Sequence, residues 1–198
     1  MAIPRTFIYL LFYTMLTNGI NAQDPAEELP YRELPDPEET YTAGSVVSRL
    51  VDGLGFRYFW ATEGLRDEDL AFRIAGDARS TRETLDHIYG LARVILNSAL
   101  NTPNEPAEEE ELSFTEMRSR TLYMLEQASD IFRETEDLDQ YSVVFVRQGN
   151  RSEFPFWNQI NGPISDALWH CGQVVSYRRA SGNPFNPAVS VFTGKVRQ

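Results

Sequence analysis

Hydrophobic and polar residues alternate with a helical period in four separate stretches between positions 42 and 182. Within each stretch the apolar residues recur every three or four positions, which is typical of an amphipathic helix with one buried face. The predicted helices run from Thr42 to Gly64, from Ser80 to about Leu100, from Ser113 onward, and from Pro163 to a stop at Gly182. This pattern predicts an all-α protein, a four-helix bundle.

The ends of the predicted helices carry recognisable signals. Ser80 with Glu83, and Ser113 with Glu116, form capping boxes, in which each side chain satisfies a free N–H group at the start of the helix. Pro163 suits a first helical turn because proline has no N–H group to leave unpaired. We therefore expect the fourth helix to begin at this proline.

Two regions lack the helical period. Residues Tyr141–Val146 are rich in valine and aromatic residues, so they predict a short strand or an extended arm between the third and fourth helices. Residues 183–198 show no helical pattern and are interpreted as a C-terminal tail.

The N-terminal residues 1–22 have the layout of a signal peptide. Arg5 precedes the apolar run Phe7–Leu16, and the small Ala22 marks the expected cleavage site. The apolar run is too short to cross a bilayer, which needs about 20 residues. We expect an exported protein, secreted or periplasmic, in which an acidic, proline-rich disordered leader (residues 23–41) precedes the bundle domain (residues 42–198).

Charge and cysteine content narrow the function classes. The formal net charge of -11 disfavours binding to nucleic acid or to an anionic membrane surface, because both would be repelled. The single cysteine, Cys171, cannot form an intramolecular disulfide and is interpreted as a small core residue. The expected partner is an unknown small-molecule substrate.

The chain has two histidines, and each lies on or beside the apolar stripe of a different predicted helix. His87 is in the second helix, and His170 is in the fourth, four residues after Asp166 on the same face. Two imidazoles and a carboxylate form a set of metal ligands that leaves positions open for water or substrate. The alternative is that these side chains only form hydrogen bonds. Glu83 and Asp86 flank His87; either could orient its ring, but we expect both to be exposed.

The stretches Ser80–Ile88 and Asp166–Val174 resemble the DinB/YfiT-like family of metal-binding four-helix proteins. The resemblance implies that His87 and His170 are metal ligands and that Gly172-Gln173 is the family's Gly-Gln step. Asp166 stands where the family usually has another histidine, so an anionic oxygen replaces a neutral nitrogen. The resemblance also implies a homodimer.

These residues predict a site for a divalent metal ion, either zinc, nickel, iron or manganese. Such an ion would lower the pKa of a bound water toward about 7, which favours a metal-dependent hydrolase. Glu63 is the candidate proton acceptor, and therefore the candidate catalytic residue. Two alternatives remain open: a non-catalytic metal- or ligand-binding helical bundle, and the thiol-dependent transferase activity that the resemblance also permits.

Overall fold

The computed structural model describes residues 28–106 and 110–197 of the 198-residue chain. These residues are mostly helical, with two small two-stranded sheets. The predicted signal peptide (residues 1–22) and the start of the predicted leader (residues 23–27) lie outside the described residues. Among the helices that are described, none combines the length and the apolar composition needed to span a membrane.

The helices and strands follow one another in a simple order. They are α1 (Ala43–Thr62), α2 (Asp67–Ala71), α3 (Thr81–Ala99), α4 (Phe114–Arg133), a 3-10 turn (Leu138–Gln140), β1 (Ser142–Arg147), β2 (Asn150–Pro155), α5 (Trp157–Gln159), a π-helical turn (Ile160–Ile164), α6 (Ser165–Ala180), β3 (Val189–Ser190) and β4 (Lys195–Val196). The four long helices α1, α3, α4 and α6 correspond to the four stretches with a helical period. The short α2 was not predicted.

The predicted helix starts are confirmed by capping contacts. In α3, the Ser80 hydroxyl accepts a hydrogen bond from the Glu83 backbone N–H at 3.1 Å, and the Glu83 carboxylate accepts one from the Ser80 N–H at 2.8 Å. Ser113 and Glu116 form the same pair of contacts at the start of α4. Such caps satisfy N–H groups that have no partner inside the helix, and each typically contributes about 1 kcal/mol.

The four long helices enclose one apolar core. Helices α1 and α3 each contact both α4 and α6. The largest side chains that are fully buried there include Leu54, Phe56, Leu85, Ile88, Leu122, Leu125 and Phe132. Burying a side chain of this size contributes about 1.5–3 kcal/mol, so the core holds the facing sides of α3 and α6 in a defined position.

The fourth predicted helix begins earlier than the sequence suggests. Helical structure starts at Trp157 and continues through the π-helical turn Ile160–Ile164 into α6. Pro163 therefore lies inside a helical run, and the prediction that it opens the helix is wrong. In a regular α-helix the proline ring would clash with the carbonyl four residues earlier, and at Pro163 the helical run is π-helical, with hydrogen bonds that span five residues instead of four. The Ser165 hydroxyl also donates to the Ile160 carbonyl at 2.7 Å.

The β-prone stretch before this helix forms strand β1, as predicted. Its partner is β2, which pairs with it antiparallel so that Val144 lies opposite Glu153. Gln148 and Gly149 connect the strands, and both have positive φ angles, 51° and 78°. This is the geometry of a two-residue hairpin turn. The tail predicted after residue 182 contains the short pair β3 and β4.

The described part of the predicted leader packs against the helices. Tyr31 and Leu34 are buried in the core, and the Tyr31 hydroxyl donates to Asp52 at 3.1 Å. Gly55 of α1 provides the space for the Tyr31 ring, because a Cβ at position 55 would collide with that ring. Residues 28–34 are thus anchored by two apolar side chains, whereas residues 35–41 are exposed, as expected for a solvated leader.

Candidate metal centre

The predicted metal ligands come together between α3 and α6. Nε2 of His87 lies 3.1 Å from Oδ2 of Asp166. Nε2 of His170 lies 3.3 Å from the other oxygen of the same carboxylate, Oδ1. The spacing of four residues places Asp166 and His170 on one face of α6, and the packing of α6 against α3 brings His87 to that face.

The three side chains are close enough to share one ion. One ligand atom from each lies within 4.8 Å of the other two. The centroids of the two imidazole rings are 4.7 Å apart, and the rings are nearly perpendicular, at 87°. Metal–ligand bonds of about 2.0–2.2 Å in tetrahedral geometry put neighbouring donor atoms about 3.4 Å apart. The two carboxylate–imidazole distances are close to that separation, although they run to the two different oxygens of Asp166. With one ligand atom of each residue within 4.8 Å of the others, the three side chains could hold a divalent ion.

His170 is oriented by a side chain of its own helix. Its Nδ1 lies 2.7 Å from Oε1 of Gln173. A carboxamide oxygen only accepts hydrogen bonds, so the imidazole donates from Nδ1. In the neutral ring this leaves the lone pair on Nε2, the atom that faces Asp166. From the sequence, Gln173 was noted only as part of the Gly-Gln step.

The group is open to solvent on one side. The exposed fraction of the side chain is 13% for His170, 33% for His87 and 40% for Asp166. His170 thus forms the inner wall, while His87 and Asp166 reach the surface. A water or a small molecule can approach without any movement of the backbone.

Glu63, the predicted proton acceptor, does not belong to this group. It lies just after the last residue of α1, where its carboxylate pairs with Arg118 at 2.6 Å. The Arg118 side chain is itself held by Thr62, to which its Nε donates at 2.9 Å. The structure therefore gives Glu63 a partner other than the three candidate ligands.

The two acidic residues that flank His87 also have other partners. Glu83 pairs with Arg73 at 2.7 Å and accepts from the Ser80 backbone N–H, and these contacts lower its pKa to about 2. Asp86 pairs with Arg82 at 3.0 Å. Both side chains are about half exposed, as expected from the sequence, and the His87 ring is contacted by Asp166 of α6 rather than by either of them.

Comparison with family models, with curated proteins and with solved structures finds no match to this chain. The interpretation of the site therefore depends on the residues themselves. Within the described residues, His87, Asp166 and His170 are the one group of three or more histidine, cysteine or carboxylate side chains whose ligand atoms converge.

Proposed function

We propose that this protein is a DinB-like four-helix bundle that binds one divalent metal ion through His87, Asp166 and His170. The observation that carries the proposal is the convergence of three donor atoms from α3 and α6 within 4.8 Å of one another. Two neutral imidazoles and one carboxylate suit zinc, nickel, iron or manganese. The carboxylate also offsets half of the charge of a divalent ion.

We propose further that the site is that of a metal-dependent hydrolase acting on a small molecule. A bound divalent ion supplies Lewis acidity and a water whose pKa is lowered toward about 7. The chain contributes the geometry: Asp166 contacts both imidazoles, and Gln173 holds His170 with its Nε2 directed at the site. The exposed edge formed by His87 and Asp166 is the side from which a substrate would enter.

One observation favours a second candidate, the non-catalytic metal-binding bundle. Asp166 already contacts both imidazoles, and through His87 it joins α6 to α3. An ion held by the same three residues would crosslink these two helices and stabilise the folded state without any reaction.

Metal analysis of the purified protein tests the site. We expect about one ion per chain after incubation with zinc, nickel, iron or manganese, and a loss of that ion in His87→Ala and His170→Ala. Glu63→Gln is the matched control, since it alters a polar side chain outside the group and should keep the ion. The proposal would be overturned if the wild type held no stoichiometric ion, or if His87→Ala and His170→Ala bound as much metal as the wild type.

Activity assays then distinguish the two candidates. A hydrolase should cleave a member of a panel of esters, amides and phosphoesters, and a chelator or His170→Ala should abolish turnover while the circular dichroism spectrum is unchanged. Metal binding that raises the melting temperature without turnover would support the non-catalytic bundle. A thiol with an alkyl electrophile, added to the same panel, tests the transferase activity.

Export and self-association belong to the same proposal. The N-terminal layout of residues 1–22 supports a secreted or periplasmic protein, and the DinB-like resemblance supports a homodimer. N-terminal sequencing of the exported protein should find Gln23 first, and light scattering should give about twice the mass of one chain. An intact N-terminus and a monomeric mass would contradict these two points.

A further inference from the structure

A cleft of about 610 Å³ lies apart from the candidate metal centre. It is formed by α6, by Arg57 of α1 and by the C-terminal segment that includes residues 185–191. Its apolar lining includes Leu168 and Val175 of α6 together with Phe185 and Val189 of the segment that follows. Small-molecule sites in proteins are typically clefts of about 300–1,000 Å³ with mainly apolar walls and a few polar groups. None of the three candidate metal ligands lines this cleft, so it is separate from the metal centre.

The charged groups of the cleft are two arginines, Arg57 and Arg179, and its other polar side chain is Asn186, whose Oδ1 accepts from the Ala188 backbone N–H. Arg57 donates one hydrogen bond, from Nη1 to the Gly53 carbonyl at 2.8 Å. Across residues 28–106 and 110–197, no carboxylate lies within 4 Å of either guanidinium. Other arginines, such as Arg49 and Arg93, also have no ion pair within this part of the chain, but here two of them line one cleft and no acidic residue lines it with them. In a chain with 29 acidic and 18 basic side chains, two such arginines in one cleft create a local positive potential.

The wall of the cleft beside the arginines is formed in part by Cys171, a buried residue of α6. Gly172 also lines the cleft, and a Cβ added there would meet no atom within 4 Å. The helix surface at position 172 is therefore open space that a ligand can occupy.

We propose that this cleft binds a small organic carboxylate with an apolar body, such as a medium-chain fatty acid. Guanidinium groups bind carboxylates through directed, charge-assisted hydrogen bonds. The apolar lining would take up the hydrocarbon part, at about 0.8 kcal/mol for each buried CH₂ group. A cation would be repelled by Arg57 and Arg179, and a neutral alkane would provide no negative charge to pair with either guanidinium.

Calorimetric titration of the purified protein with octanoate tests this proposal. We expect octanoate to bind, and we expect octanol, which lacks the charge, and acetate, which lacks the apolar body, to bind at least tenfold more weakly. Arg57→Gln and Arg179→Gln should each weaken octanoate binding by roughly tenfold, since each removes hydrogen bonds to a charged group. Arg79→Gln is the matched control, because it removes the same charge from an exposed position outside the cleft.

A second variant tests the position of the ligand. Gly172→Leu fills open space and should abolish octanoate binding without lowering the melting temperature. The proposal is overturned if octanoate does not bind the wild type, if octanol binds equally well, or if Arg179→Gln and Gly172→Leu bind octanoate like the wild type. Arg179 is exposed, so its substitution leaves the test valid even if Arg57→Gln fails to fold.

Discussion

The carboxylate of Asp166 lies 3.1 Å from Nε2 of His87, a residue 79 positions earlier in the chain. The same carboxylate faces His170 one turn further along α6. The candidate metal centre therefore exists only where α3 and α6 are packed together. Formation of the site is thus coupled to folding, and an ion that binds it should stabilise the folded protein.

Asp166 should determine how strongly the ion is held. Asp166→Ala removes the one anionic donor, so we expect metal affinity to fall by at least tenfold. Asp166→His replaces the oxygen donor with a nitrogen donor and should keep most of the affinity. The preference among zinc, nickel and manganese should shift, because the new donor is softer. Competition titrations with a metal-sensitive dye measure both effects. Equal affinity in Asp166→Ala and the wild type would exclude Asp166 as a ligand.

Gln173 should act on the ion through His170. Gln173→Leu removes the acceptor for the Nδ1 proton, so the ring is free to adopt the other tautomer, and we expect metal affinity to fall by about 10–100-fold. Gln173→Glu keeps an acceptor and should retain binding. Gln127→Leu, the same change at an exposed position of α4, is the control and should have no effect. A tautomer shift would be visible in the ¹⁵N resonances of His170.

Much of the helical structure was predictable from the sequence because its signals are local. Apolar periodicity placed α1 nearly at its observed ends, and the capping boxes at Ser80 and Ser113 marked the starts of α3 and α4, although no end was predicted for α4. The start of the fourth helix was predicted too far along the chain, because proline is common in the first turn of a helix and a π-helical turn has no simple sequence signal. The pairing of β1 with β2 was missed because the second strand is exposed and polar.

The candidate site shows the same division between local and distant contacts. Asp166 and His170 were predictable as neighbours from their spacing on one helix. The proximity of His87 depends on tertiary packing, and it was inferred from the family resemblance and from the scarcity of histidine. The contact between Glu63 and Arg118 joins α1 to α4 over 55 residues, and no sequence pattern indicates it. The role of Gln173 could have been found, because it lies three residues from His170.

The close packing of α1 against the end of α4 should require a glycine at position 44. A Cβ at this position would collide with the backbone carbonyls of Phe132 and Thr135, neither of which can rotate away. We expect Gly44→Ala to lower the free energy of unfolding by about 1–3 kcal/mol, as overpacked substitutions do. Gly90→Ala in α3 is the control: no atom lies within 4 Å, so the alanine should stabilise the helix by up to about 1 kcal/mol. Urea unfolding measures both.

Asp69 should make stability depend on pH in the acidic range. Its side chain is fully buried and accepts hydrogen bonds from Arg66, from the Ser181 hydroxyl at 2.5 Å and from the Asn183 amide at 2.7 Å. The hydrogen bonds from Arg66 are the main cause that holds the pKa of this carboxyl well below its usual range. Because protonation is harder in the folded state, the ionised carboxylate stabilises the fold above the unfolded pKa of about 3.9.

This stabilisation is lost as the pH falls from about 4 toward the depressed folded pKa. Asp69→Asn removes the charge at every pH, so we expect it to lower the free energy of unfolding by about 2 kcal/mol at neutral pH. The difference from the wild type should shrink steadily between about pH 5 and pH 2, because the wild-type carboxylate loses its advantage there. Asp77→Asn, at an exposed position, should show no pH-dependent difference. A constant difference between wild type and Asp69→Asn across this range would show that the charge of Asp69 does not stabilise the fold.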